Sequence, residues 1–352
     1  MSFLSEAIPG TEILKDGNTY LYFGGTAYLG LQRDPEFLEL ISGGIRRLGT
    51  HWGASRVGNV KLPVYQTAEK TLASWMGSQA CLSLSSGFLA ARLVSEYFIR
   101  RDYTCFFSPN CHEALLPPGA VRQRDWLSLT QALQAHLGQE GHDLPVVFTD
   151  SMGGPGKPGP VWDLLAEIPR NCILVADDSH GIGISGPDGS GSWKPLKAMG
   201  FKELILCGSL GKAMGVTAGI LAGNARRLEE FEKTPFFAGA SPAPPAGLWT
   251  VSKALENGWY EQKWKLLKSR VAFMQHWVGG IDCLTSQKGY PVMSFRDPEL
   301  VRHLLKKRSL ITDFQDPAEG GTASPSRIVV TAAHKESQLQ YLADVLVEFK
   351  NC

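Results

Sequence analysis

CILVADDSHG, residues 172–181, sets five apolar residues, Cys172 to Ala176, directly before two aspartates, a serine and a histidine. An unbroken apolar run of that length marks a strand buried on both faces, as in the interior of a parallel sheet. Working outward, the same form recurs. LILCGS (204–209) and GILAG (219–223) follow it, while LPVVFTD (144–150), YTCFFSP (103–109) and ACLSLS (80–85) precede it. Between ACLSLS and YTCFFSP stands FLAARLVSEYFIRR (88–101), whose apolar residues keep helical spacing. This alternation predicts an α/β domain around a mainly parallel sheet. Ligands of such sheets gather at the carboxyl ends of the strands. Those positions here are Ser85, Ser86 and Gly87, then Asp150, Asp177, and Ser209 to Lys212.

The rest of the chain narrows the possibilities. With 352 residues it can bury a large core, and its 35 Lys+Arg against 34 Asp+Glu give no electrostatic reason to expect nucleic acid or an anionic membrane as partner. Seven scattered cysteines, mostly inside apolar runs, read as buried thiols of a reducing compartment. MSFLSEAIPG at the start has no basic stretch leading into an apolar core, and no apolar run approaches membrane-spanning length, so the expected location is the cytoplasm. TDSMGGPGKPGPVW (149–162) is too rich in Gly and Pro for regular structure and predicts a loop over the sheet's end. The character changes again after Pro235. The expected organisation is an amino-terminal segment 1–40, a large domain 41–235 and a smaller α+β domain 236–352. In the last, SRIVVTA predicts a strand, and Ser337 with Gln340 a capping box for a helix carrying Leu339, Leu342, Val345, Leu346 and Phe349.

Two nucleotide-binding patterns fail. Around Lys212 the Walker spacing would need a glycine at Leu206 and Ser or Thr at Ala213. GIGISG (181–186) has the GxGxxG spacing, but PDGSGSWKP follows it and cannot open a helix to hold a pyrophosphate. No GxSxG elbow occurs, and neither CHE nor DDSH reaches a metal-site spacing.

What remains is complementary strand-end chemistry. Asp177 and Lys212 alone would read as a salt bridge. The other strand ends change that reading: Ser86, Gly87 and Phe88 open a helix whose amino end favours an anion, and Ser209 adds a hydroxyl. A phosphate pocket, an acid and a lysine among small residues point to pyridoxal 5'-phosphate. The lysine would form the Schiff base, and the acid would keep the pyridine nitrogen protonated.

At this point the sequence resembles the α-oxoamine synthases, a family of fold-type I pyridoxal phosphate enzymes. TAYLGL (26–31) is similar to the family's NYLGL, GTHWGASRVGN (49–59) to GxGGSR, and LSSGFLAA (84–91) to SGYxAN. VADDSHGIGISGPDGSG (175–191) resembles VDEAHGxGxxGxxGxG, GSLGKAMG (208–215) resembles TLGKAxG, and SRIVVTAAHKESQLQYL (326–342) is similar to LRLTLTAAHTxEQxxxL.

The resemblance implies a seven-stranded, mainly parallel sheet and a homodimer with shared sites. It implies Lys212 as Schiff-base lysine, Asp177 as partner of the ring nitrogen, His180 near the phenolic oxygen and His112 stacked on the ring. Ser86, Gly87, Phe88 and Ser209 would bind phosphate, with Ser241 reaching the phosphate of the neighbouring subunit. Arg327 would hold the amino-acid carboxylate, with Thr26 at the substrate-binding position where the family has Asn. The implied reaction is a decarboxylating condensation of a small α-amino acid with an acyl thioester on coenzyme A or a carrier. The first choice is 8-amino-7-oxononanoate synthase chemistry in biotin synthesis. Glycine C-acetyltransferase and serine palmitoyltransferase chemistry stand close behind it, and an aminotransferase or aldol-type lyase lies outside the class. The chain departs from the family at Tyr65 (usually His), Cys111 (commonly Asn), Gln315 (Arg in some members) and the loop 151–160.

Overall fold

All six apolar runs pair in one sheet, in the spatial order Ala80–Leu84, Gly219–Gly223, Glu203–Ser209, Ile173–Asp177, Val146–Asp150, Cys105–Phe107. The computed structural model describes residues 4–153, 158–313 and 324–350; Gln315 lies outside them. Gly219–Gly223 runs antiparallel to both its neighbours, and the remaining pairs are parallel. The carboxyl ends of the other strands therefore share one edge. The resemblance implies seven strands, but the sheet has six. Each of the six is one of the apolar runs read from the sequence, and among the described residues no further strand pairs with either edge. Ile173–Asp177 is buried along its whole length, as an interior strand demands.

Helix Gly87–Ile99 lays Ala90, Ala91, Val94 and Phe98 into the same core as Val175, Ile205 and Leu221. Phe107 and Phe148 stack across neighbouring strands at 5.1 Å. Helix Trp126–Leu137 starts at a full capping box, Asp125 with Ser128.

Contacts divide the chain into two units, one of Met1–Pro35, Gly153–Gly159 and Tyr260–Cys352, the other of Glu36–Met152 and Pro160–Trp259. Residues 236–259 thus group with the large sheet, where the sequence places a boundary at 235. The reason is local: the Tyr65 hydroxyl donates to the Ala243 carbonyl at 2.9 Å, and a Cβ on Gly44 would lie 3.0 Å from the Ala246 carbonyl oxygen.

In the smaller unit, Glu12–Lys15 and Asn18–Phe23 form a hairpin turned by Asp16 and Gly17, both at positive φ (50° and 73°), as a two-residue hairpin turn requires. Asn18–Phe23 also pairs in parallel with Ser309–Ile311. Val292–Phe295 pairs with Ser326–Val329 and with Thr285–Ser286. The last helix, Glu336–Lys350, buries Leu339, Leu342, Val345 and Leu346 as its spacing predicts, with Phe349 half-buried. Its capping differs from the sequence reading. Ser337 lies inside the helix, the Gln340 amide donates to Asp344, and it is Gln338 that reaches back to accept the Lys335 N–H at 2.9 Å. The helix begins early enough to put Gln338, rather than Gln340, in the first turn.

Candidate active site

Asp177 ends the Ile173–Asp177 strand at the shared edge and is 7% exposed. Its Oδ1 accepts the Ser179 N–H at 2.8 Å. Its register partners are Asp150 on one side and Cys207 on the other. Asp150 ends its own strand, half-buried, and its Oδ1 accepts the His112 N–H at 2.9 Å. Burial, then the charge of Asp177, hold the Asp150 carboxyl well above the usual carboxylate range, against the pull of the His112 N–H and the Lys212 and Arg122 charges.

On the other side of Asp177, Ser209 ends the Glu203–Ser209 strand, and a short turn carries Lys212 before the chain re-enters the sheet at Gly219. That turn is closed by Leu210 N–H to Ala218 O (2.9 Å) and Val216 N–H to Leu210 O (3.2 Å). Lys212 is half-buried. The Ser209 Oγ accepts the Gly211 N–H at 3.1 Å, and the Ser209 N–H donates to the Ser179 Oγ at 3.0 Å, tying the Lys212 turn to the Asp177 turn.

Helix Gly87–Ile99 meets this turn at its amino end. The Ser86 Oγ caps the helix by accepting the Leu89 N–H at 3.2 Å, so this hydroxyl is engaged with its own helix. Helix geometry leaves the N–H groups of Gly87 and Phe88 without intrahelical acceptors. Space decides two residues here. A Cβ on Gly87 would lie 2.7 Å from the Ser209 Cβ, and one on Gly219 would lie 2.0 Å from the Ser86 carbonyl oxygen. Only glycine lets the helix start settle against the two strands. Phe88 points its ring to the surface, 52% exposed.

His112 lies exposed on the loop after Cys105–Phe107. Asp150 pins its backbone, and its Nδ1 accepts the Ala114 N–H at 3.1 Å. The Arg122 Nε donates to the Cys111 carbonyl at 2.7 Å, holding the same loop from its other side. His180 is half-buried on the turn after Asp177. The structure thus brings Ser86, Gly87, Asp177, Ser209 and Lys212 to one edge, with His112 and His180 on loops leaving it. Ser241 is exposed, and among the described residues no hydrogen bond ties it to that edge.

Arg327 and Thr26 belong to the smaller unit. Arg327 lies opposite Ser294 in the strand pair, and its backbone exchanges two hydrogen bonds with Thr312, 2.8 and 3.1 Å. The phenols of Tyr28 and Tyr290 face its guanidinium, and burial pushes the Tyr28 phenol up to about 12. The Thr312 Oγ1 also accepts the Gly25 N–H at 3.0 Å, so the Thr26 segment and the Arg327 strand meet at one threonine.

Two features escaped the sequence reading. Asp178, fully buried, accepts the Ser192 N–H (2.8 Å), the Ser192 hydroxyl (2.7 Å) and the Ser151 hydroxyl. Burial pushes its carboxyl up to about 6 against those bonds. The doubled acid in VADD was the only available signal. Arg56, in the GASR segment, grips Glu69 with both fork nitrogens at 2.8 and 3.1 Å, and nothing in the sequence pairs the two.

The sequence profile of the aminotransferase class I and II family matches residues 152–346. An 8-amino-7-oxononanoate synthase of Nitrosococcus oceani is 28% identical over 361 residues, covering 97% of this chain and 95% of the relative. A serine palmitoyltransferase from S. paucimobilis with bound PLP–myriocin aldimine superposes with a TM-score of 0.84 at 17% identity, covering 98% of this chain and 91% of that one. For the 8-amino-7-oxononanoate synthase of Francisella tularensis the values are 0.71, 17%, 95% and 99%. With more than half its length matched by the family profile, the chain belongs to the aminotransferase class I and II family.

Proposed function

We propose that this chain is a pyridoxal phosphate-dependent C-acyltransferase of the 8-amino-7-oxononanoate synthase kind. The observation that carries the reading is Asp177, a buried carboxyl group taking the Ser179 N–H, at a sheet edge shared with Lys212, Ser209 and the Gly87 helix start. The near full-length likeness to curated 8-amino-7-oxononanoate synthases supports the choice within the class.

The residues fit the cofactor. A phosphate needs donors without side-chain bulk, and the Gly87 start beside Ser209 supplies helix-end N–H groups and a hydroxyl. A protonated ring nitrogen needs a buried carboxylate beside it, a place the Asp177 side chain would take. Bound there, the cofactor would supply an aldehyde for amines and a ring able to take up electrons from a carbanion.

The chain's own groups do the rest. Lys212 would hold the cofactor through its amine and, once displaced by the amino acid, take the proton from the substrate Cα. His112 would cover one ring face and His180 would approach the phenolic oxygen. Arg327 would grip the amino-acid carboxylate, a task suited to its planar fork. The new bond would join the substrate Cα to the acyl carbon as the thiolate leaves and takes up the proton that Lys212 removed, and after loss of carbon dioxide the Cα would take one proton from solvent to give an α-amino ketone. We read the enzyme as a cytoplasmic homodimer in which Ser241 reaches its partner's phosphate. Six described cysteines are free thiols, in keeping with a reducing compartment, and among the described residues no helix is long and apolar enough to cross a membrane.

The test is direct. With pyridoxal phosphate the protein should turn yellow, and borohydride should fix the cofactor on Lys212. Alanine and a pimeloyl thioester should then release free thiol. Release only with glycine and acetyl-CoA, or only with serine and palmitoyl-CoA, moves the assignment within the class. An aminated cofactor and a keto acid mark an aminotransferase. A colourless protein refutes the proposal.

A further inference from the structure

In the sequence Asp150 is only a strand end. Three geometric facts give it more weight. It is the register partner of Asp177, so the two carboxyl groups stand side by side on adjacent parallel strands. Its Oδ1 takes the backbone N–H of His112 at 2.9 Å. Around it the loop is tied again, by the Asn110 amide to the Met152 carbonyl (3.1 Å) and the Ser108 hydroxyl to the Asn110 Oδ1 (2.8 Å).

We infer that Asp150 is a further residue of the cofactor site, a positioning residue whose carboxyl group anchors the His112 loop beside Asp177. The inference rests on the pyridoxal phosphate reading for its function, though not for its chemistry. Two adjacent carboxyl groups cannot both ionise cheaply. Asp177 takes a hydrogen bond from the Ser179 N–H. Asp150 is the member that burial and the Asp177 charge hold protonated. The other charged or titratable groups facing it are Lys212 from the turn after Ser209 and Arg122 beyond its loop, which pull toward ionisation without reversing the balance, and the Cys111 and Cys207 thiols, which the Asp150 charge pushes up. A neutral Asp150 adds no second negative charge beside Asp177. Its other oxygen still accepts from His112.

The experiment compares the full-length parent with Asp150→Ala and Asp150→Asn. The first readout needs no cofactor: carboxyl-carbon NMR of the apo-protein, with the Asp150 signal assigned by its loss in Asp150→Asn. The signal should remain that of the acid at pH values where ordinary carboxylates are ionised. Titration within the ordinary range overturns the inference.

The second readout is the dissociation constant for pyridoxal phosphate, followed by fluorescence. Asp150→Ala loses the anchor and should bind about tenfold more weakly, the equivalent of one hydrogen bond. Asp150→Asn keeps a neutral acceptor for the His112 N–H and should stay within about threefold of the parent. The asparagine variant also separates function from folding, since it preserves size and shape. Equal affinity of parent and Ala, or equal weakness of Ala and Asn, overturns the inference. If the parent takes up no pyridoxal phosphate, the proposed function fails and the NMR titration alone decides the carboxyl pair.

Discussion

Lowering the pH should weaken the smaller unit through one buried imidazole, that of His334. Its ring is 1% exposed and stacks on Phe23 at 4.5 Å, with 10° between the planes. Nδ1 accepts the Thr331 N–H at 2.9 Å, which fixes the neutral tautomer in which Nε2–H donates to the Tyr22 carbonyl at 3.0 Å. A second proton would have to sit on Nδ1, facing an N–H. Burial is the main reason the pKa falls to about 4 from 6.5, with the Arg270 charge adding to it and the Tyr22 and Thr331 bonds opposing.

The sign follows from proton counting. Between pH 6.5 and about 4 the unfolded chain binds a proton that the native ring refuses, so stability drops as pH falls through that window and is flat above it. The full separation is worth about 3 kcal/mol. His334→Phe keeps the stack but abolishes the titration. It should be less stable than the parent above neutrality, where two hydrogen bonds are lost, and the gap should narrow by about 2–3 kcal/mol on going to acid. Urea unfolding of both proteins across the window measures the gap. A constant gap, or an NMR titration of the ring near 6.5, would refute the reasoning.

Three further outcomes are expected. Arg56→Ala strips the partner from Glu69, whose Oε1 also takes the Ser83 N–H and hydroxyl at 2.7 Å, and with side-chain exposures of only 9% and 11% the loss should reach about 3–5 kcal/mol in chemical unfolding; a change under 1 kcal/mol would show the pair to be solvated. Gly87→Ala must displace the Ser209 backbone and should cost about 1–3 kcal/mol as well as cofactor affinity, whereas Gly239→Ala, with open space at its Cβ, serves as the neutral control. Arg327→Lys keeps charge but loses the fork, so the KM for the amino acid should rise about tenfold with borohydride trapping on Lys212 unaffected; an unchanged KM removes Arg327 from the site.

The large sheet was legible because an interior strand has no solvent face to encode: its run of apolar residues is continuous, and the polar residue that ends it marks the functional edge. Asp177, Lys212 and Ser209 stood out for that reason. The smaller unit was less legible. Asn18–Phe23 finds its parallel partner in Ser309–Ile311, almost the whole chain away, and both are short and half-polar. Arg56 and Glu69 cannot be paired from the sequence, because their burial depends on Tyr65 and Phe237 folding over the guanidinium, 4.3 and 5.6 Å from the ring centroids. Asp150 was visible as a strand end, but its role comes from register with Asp177, which no single strand contains. Position alone gives Ser86 to a phosphate, while the structure uses its hydroxyl as a cap.

The reversed strand Gly219–Gly223 has a mechanical consequence for Lys212. The turn from Leu210 to Ala218 leaves one strand and returns to the strand hydrogen-bonded beside it, with Ser209 opposite Gly219. Both of its anchors are therefore the ends of strands that pair on both sides, so the turn opens only by fraying the sheet at that edge. Motion of the lysine between gripping one partner and releasing it must come from rotation of its own four-carbon stem, a tether swinging from a fixed post.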